Sequence, residues 1–137
     1  MEGIRISSHR RDEFAVVTVS GELDIVTSRR FDECLAKVRR DADHVIIDLS
    51  AVDFMDTASL AVIVGHWKQL TMAGGTLLLA GARYRYTKTL WITGLAERLP
   101  LYDTVEEALA AGTETDGGEK TGDEDAGGTA TEGVKSA

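Results

Sequence analysis

The chain has little positive charge, a single cysteine and no apolar run long enough to cross a bilayer. Its 15 Lys and Arg face 23 Asp and Glu, a formal net charge of −8. That balance excludes a general nucleic-acid binder, which needs a basic face to neutralise phosphates. It likewise gives no polybasic patch for an anionic membrane. Cys34 alone cannot build an internal disulfide framework, and its solitude fits a reducing compartment. The opening MEGIRISSHRRDE lacks an apolar core of signal-peptide length, and nowhere do 18 apolar residues run together. The expectation is a soluble cytoplasmic protein.

What is present is enough for a core. Hydrophobic residues make up 43% of 137, and a single domain of that size buries roughly two-thirds of its unfolded surface. The composition changes at Gly112. Residues 112–137 hold seven Gly, seven Asp or Glu and two Lys, with no aromatic residue. Too little apolar area is available there to offset ordering entropy. The expected organisation is therefore a folded domain over residues 1–111 and a disordered, acidic, Gly-rich tail over 112–137. GTETDGGEKTG within the tail is not a phosphate-binding loop, because Gly118 stands where that motif needs its Lys.

Periodicity predicts the elements of residues 1–111. Ile4 and Ile6 alternate with polar residues as in an edge strand, Arg10–Glu13 reads as a polar turn, and Phe14–Ser20 as a second strand. Phe31, Cys34, Leu35 and Val38 recur at helical spacing, which predicts a helix over Thr27–Arg40 starting near Asp24–Ser28. HVIIDLS reads as a central strand buried on both faces. Leu60, Ile63, Val64, Trp67 and Leu70 predict a helix over Thr57–Ala73, closed by Gly74 and Gly75. TLLLAG is a further buried strand. Tyr84–Thr93 reads as a helix, Leu99–Tyr102 as a short strand, and Val105–Ala111 as a final helix capped by Thr104. The order ββαβαβαβα implies an α/β fold: a mixed, mostly parallel sheet of about five strands with an antiparallel hairpin at one edge.

FMDTASLAV holds the one polar gap in an oily segment, at Asp56, Thr57, Ala58 and Ser59. Read locally, Asp56 is a helix cap and Thr57 and Ser59 are first-turn residues. Asp24 admits the same reading at the first helix, and Glu22 reads as a solvated charge. His9, His44 and His66 have no partners at metal-ligand spacing. Cys34 and the two tryptophans read as packing residues, and Arg83, Arg85 and Lys88 with Tyr84 and Tyr86 as a solvated face. No nucleophile–base pair, metal constellation or intact Gly-rich loop points to catalysis, and no cofactor is expected.

Four segments in register resemble one family, the STAS domain of stand-alone bacterial anti-sigma factor antagonists (anti-anti-sigma factors). They are SGELDIVTS at Ser20–Ser28, HVIIDLSAVDFMD at His44–Asp56, DTASL at Asp56–Leu60, and GHWKQLTMAGGTLLLAG from Gly65 on. The resemblance covers residues 3–111. It implies a non-enzymatic, cytoplasmic interaction module that binds an anti-sigma factor with serine/threonine kinase activity and releases a sigma factor. It further implies inactivation by phosphorylation of the first hydroxyl after the Asp, reset by a phosphatase, without direct nucleic-acid or membrane contact. By position the acceptor is Thr57, with Ser59 as second choice, and the partner-binding set is Glu22, Asp24, Asp56, Thr57, Ala58 and Ser59. Thr57 replaces the family's Ser, Ala58 a second hydroxyl, and Ser59 the family's Gly. A phosphorylation-free STAS scaffold or constitutive antagonist is the alternative within the same class. A small-ligand carrier or enzyme using the Asp56 loop is the alternative outside it.

Overall fold

A computed structural model describes residues 3–117. The chain forms one five-stranded sheet in the order β1-β2-β3-β4-β5, with strands β1 Ile4–Arg11, β2 Phe14–Leu23, β3 His44–Met55, β4 Thr76–Ala80 and β5 Leu101–Tyr102. β1 and β2 are an antiparallel hairpin, and β2 through β5 are parallel. Helices α1 Ser28–Asp41, α2 Thr57–Met72, α3 Lys88–Ile92 and α4 Val105–Gly117 follow β2, β3, β4 and β5. The expected α/β class, strand number, pairing and element order are all found.

The two sides of β3 explain the layering. Val17, Ile47 and Leu79 are aligned across β2, β3 and β4, fully buried, and belong to the core that includes Phe31 and Leu35 of α1, Leu60 and Ile63 of α2 and Leu90 of α3. Their neighbours Val16, Ile46 and Leu78 point the other way and pack with Phe14 against Ala108 and Leu109 of α4. Successive strand residues face opposite sides, so a strand covered on both must be apolar throughout. That requirement is why HVII was legible as a central strand.

Boundaries differ where distant contacts intervene. β1 runs on through Arg10 and Arg11, so the expected four-residue turn shrinks to Asp12–Glu13. Asp12 takes φ 56° there, a left-handed conformation that Asp tolerates better than most residues. β2 does not end at Ser20. It bulges against β3 on either side of Gly21, whose φ of 101° and missing Cβ let the Gly3 carbonyl approach, and continues to Leu23.

The helix expected over Tyr84–Thr93 is only Lys88–Ile92. Residues 84–86 form a turn, because Thr87 Oγ1 donates to the Arg83 carbonyl at 2.7 Å while the Arg83 guanidinium donates to the Ser50 carbonyl at 2.8 Å. A side chain bonding to nearby backbone competes with helix formation. β5 is likewise only Leu101–Tyr102, not Leu99–Tyr102, and Pro100 has no N–H to offer a ladder. Thr104 caps α4 as expected, its Oγ1 accepting from Glu107 N at 3.1 Å. The helix passes the expected end at Ala111, however, and reaches Gly117, with Gly112 buried against the Phe14 ring. The remainder of the acidic tail, 118–137, lies outside the described residues.

Candidate functional site

Parallel pairing brings two segments far apart in sequence to one end of the sheet. Glu22 pairs with Phe54 and Leu23 with Met55, after which Asp56 N donates to the Leu23 carbonyl at 3.0 Å. The loop after β2 and the start of α2 therefore lie side by side at the carboxyl ends of the strands. Loops at that end of a parallel sheet are where a rigid scaffold presents groups for recognition.

The α2 start is a capped helix terminus. Asp56 is extended (φ −108°, ψ −177°), and its Oδ1 accepts from Ser59 N at 3.0 Å. Its carbonyl takes the first helical bond, from Leu60 N at 3.1 Å. Thr57 and Ala58 are the first two helical residues, whose N–H groups have no acceptor within the ladder. Thr57 is exposed, Ala58 is half-buried, and Ser59 is completely buried, its Oγ 3.5 Å from the Asp24 carbonyl oxygen. The two candidate hydroxyls, two positions apart, thus occupy opposite environments.

Asp24 organises the neighbouring loop. Its Oδ1 accepts from Val26 N at 2.9 Å and Thr27 N at 3.0 Å, while Thr27 Oγ1 accepts from Asp24 N and donates to the Glu22 carbonyl at 2.8 Å. This reciprocal turn buries Thr27 and turns the two apolar residues between them outward: Ile25 is 74% and Val26 82% exposed. Phe54, paired beside Glu22, is also exposed. Glu22 itself is exposed and Asp24 half-buried. On the other flank, α3 is tied to the tip of β3 by Thr89 Oγ1, which donates to the Met55 carbonyl at 3.3 Å. The site is thus a polar helix start with three exposed hydrophobic side chains beside it. Ile25, Val26 and Phe54 escaped the sequence reading, although an Ile-Val pair enclosed by Asp24 and Thr27 was the available signal.

Other residues fall elsewhere. His66, which had no partner by spacing, is buried between helices with Nε2 2.6 Å from Asp32 Oδ1 and Nδ1 3.0 Å from the Arg39 guanidinium. A guanidinium only donates, so Nδ1 accepts and the ring hydrogen sits on Nε2, facing Asp32. The trio fastens α1 to α2. Burial pushes the Cys34 thiol above its ordinary pKa, with Lys37 and Arg30 pulling the other way. Arg83 and Arg85 lie 4.9 and 5.6 Å from the Tyr86 ring centre, and Tyr84 meets Trp91 edge-on at 5.3 Å. Among the described residues no group of three His, Cys, Asp or Glu is placed to hold a metal, and no helix is long and apolar enough to cross a membrane.

Residues 5–108 match the family model of the STAS domain. The chain belongs to the STAS domain family. Among its relatives is the anti-sigma F factor antagonist of Paenibacillus polymyxa, 33% identical over 98 residues, which are 69% of this chain and 82% of that protein. The anti-sigma-B factor antagonist of Staphylococcus epidermidis is 31% identical over 104 residues, 75% of this chain and 96% of the relative. Among solved structures, an anti-sigma factor antagonist from Mycobacterium paratuberculosis superposes with a TM-score of 0.70 at 28% identity, covering 79% of this chain and 92% of that one.

Proposed function

We propose that this STAS domain is a cytoplasmic anti-sigma factor antagonist whose α2 start docks on an anti-sigma factor, freeing a sigma factor, until that partner's serine/threonine kinase activity phosphorylates Thr57. A phosphatase then resets it. The observation that carries this reading is the exposure of Thr57 as the first residue of a capped helix, with Ser59 fully buried two positions later. A hydroxyl phosphorylated in trans must be reachable, and only Thr57 of the pair is. The names of the relatives supply the class of partner.

The switch follows from charge and desolvation. Glu22, Asp24, Asp56, Thr57 and Ala58 form the contact together with Ile25, Val26 and Phe54, and buried Ser59 supports it from beneath. Phosphate adds about −1.5 to −2 charge and three acceptor oxygens. The free N–H groups at the α2 start accommodate it within this chain. A partner surface matched to an uncharged threonine among apolar groups does not. A penalty of ~3–4 kcal/mol weakens binding more than a hundredfold. The protein is in this reading the substrate of a kinase and not an enzyme.

The experiment is co-purification of the wild type, Thr57→Ala, Thr57→Glu and Ser59→Ala from the native cells, with intact-mass analysis. Wild type and Ser59→Ala should each carry a phosphate that Thr57→Ala lacks. Thr57→Ala should retain the anti-sigma factor and Thr57→Glu should lose it. A wild type that never carries phosphate, with Thr57→Glu still holding every partner, would overturn the proposal in favour of a constitutive antagonist.

A further inference from the structure

The acidity of the chain conceals a basic flank. β1 and α1 together hold eight Lys or Arg against three Asp or Glu, in a chain whose net charge is −8. The fold puts those two elements side by side and running in the same direction. Arg30 Nη1 near the start of α1 donates to the Ile4 carbonyl at the start of β1, at 3.3 Å. Arg10 Nη1 near the end of β1 donates to the Asp41 carbonyl at the end of α1, at 3.4 Å. Arg5, Arg10, Arg29, Arg30, Lys37 and Arg40 are exposed, and none forms an ion pair among the described residues. Ile4 and Ile6 face the α1 core, so Arg5 between them points to the other side of the sheet, while Arg10 and the four α1 cations sit on the α1 side of this edge, along about 27 Å, the length of an eight-residue strand.

α4 delivers the rest of the chain to that edge. It begins beside Tyr102 of β5, crosses under Leu78 and Ile46, and by Gly112 lies on Phe14 of β2. Phe14 pairs with Arg11 at the hairpin end of β1, where Arg11 also bonds Glu106 at 3.1 Å. Residues 118–137 follow, with five Asp or Glu against two Lys, four of the acids falling within 119–125. Twenty residues can extend up to about 66 Å, more than twice the length of the flank.

We propose that the acidic segment around Asp123, Glu124 and Asp125 docks on the β1–α1 flank of its own chain. Tethering gives it a millimolar effective concentration there, so many weak, mobile ion pairs suffice without a shaped pocket. The occupied flank is withheld from other acidic surfaces, and the edge of β1 is screened from pairing with another strand. This inference stands on charge and geometry alone and is independent of the switch at Thr57.

A nitroxide on the full chain tests it, placed by Ala126→Cys with Cys34→Ser. In about 10 mM salt, where the Debye length is ~30 Å, amide signals of Arg10, Arg11, Arg39 and Arg40 should lose most of their intensity. They should recover in about 1 M salt, where that length is ~3 Å. They should also recover at low salt when Asp123→Asn, Glu124→Gln and Asp125→Asn are combined. Losses that ignore salt and these substitutions, or that centre on another face such as Thr57, would refute docking at this flank. So would equal losses when the label sits only on isotopically silent chains mixed with unlabelled observed ones, which would mean contact between copies.

Discussion

Ser59 Oγ lies 3.5 Å from the carbonyl oxygen of Asp24, joining the first turn of α2 to the loop after β2 across 35 residues. The contact is long for an O–H···O bond and therefore weak. The same carbonyl also accepts from Ser28 N at 2.8 Å, so it is not orphaned if the hydroxyl goes. Ser59→Ala should accordingly change stability by no more than about 0.5 kcal/mol. Ser59→Gly, which brings in the glycine that the family resemblance implies, should cost up to about 1 kcal/mol through backbone entropy. Urea denaturation of both variants measures this, and a larger loss for Ser59→Ala would mean the hydroxyl does more than the geometry indicates.

Asp56 gives a second stability test. Its Oδ1 is the acceptor for Ser59 N, and removing an N-cap acceptor typically costs about 1 kcal/mol. Asp56→Ala should lower the urea midpoint by that much, while Asp56→Asn, which keeps an acceptor oxygen, should stay within a few tenths of a kcal/mol. If Asn falls as far as Ala, the charge and not the hydrogen bond is what α2 requires.

Thr57 should separate stability from binding. A negative charge in the first turn of a helix is favourable by about 0.3–1 kcal/mol. Thr57 is exposed, so nothing has to be repacked to admit it. Thr57→Glu should therefore melt at or slightly above the wild-type temperature while losing its anti-sigma partner more than about a hundredfold, the ~3–4 kcal/mol penalty expressed as a ratio. A destabilised Thr57→Glu would make its binding loss uninformative and would contradict the exposed first-turn geometry.

Gly112 tests whether α4 is part of the folded domain. A Cβ there would fall 2.7 Å from Cε2 of Phe14, and closer still to Cζ. Gly112→Ala should destabilise by roughly 1–3 kcal/mol through overpacking. Phe14→Leu alone should also destabilise, yet the double variant should recover part of the Gly112→Ala loss, a coupling that independent sites do not give. Simple additivity would mean that α4 is not held against Phe14.

Cys34 carries the pH prediction. Burial raises the pKa of the thiol in the folded chain, so the thiolate appears at higher pH than in the unfolded chain. Alkylation by iodoacetamide should follow an inflection displaced upward in the native protein relative to the same chain in urea. By linkage, the stability associated with the protonated thiol is present below the unfolded pKa and declines as pH rises through the folded one. A native inflection at or below the unfolded one would contradict the burial of this side chain.

Much of the architecture was legible because its causes are local. A strand buried on both faces must be apolar, as Val45–Ile47 is, and an amphipathic helix must space Phe31, Leu35 and Val38 as α1 does. Where the reading missed, the deciding bond came from elsewhere. The turn at Tyr84–Tyr86 answers to Ser50, 33 residues before Arg83, and the length of α4 answers to Phe14. His66 seemed partnerless because Asp32 lies 34 residues away on another helix. The cap at Asp56 could be read from its own neighbours, whereas Ile25, Val26 and Phe54 joined the site only through the pairing of β2 with β3.

The sequence by itself determined the α/β class, the order of its elements, the capped junction at Asp56 and the acid excess of the whole chain. Each follows from residues within a turn or two of one another, or from composition. Only the tertiary structure decided that Thr57 faces solvent while Ser59 does not, and that β1 and α1, with their basic residues, lie alongside each other at one edge of the sheet. Burial and surface charge belong to the packing between segments, and no local pattern records which distant segment will cover a given side chain.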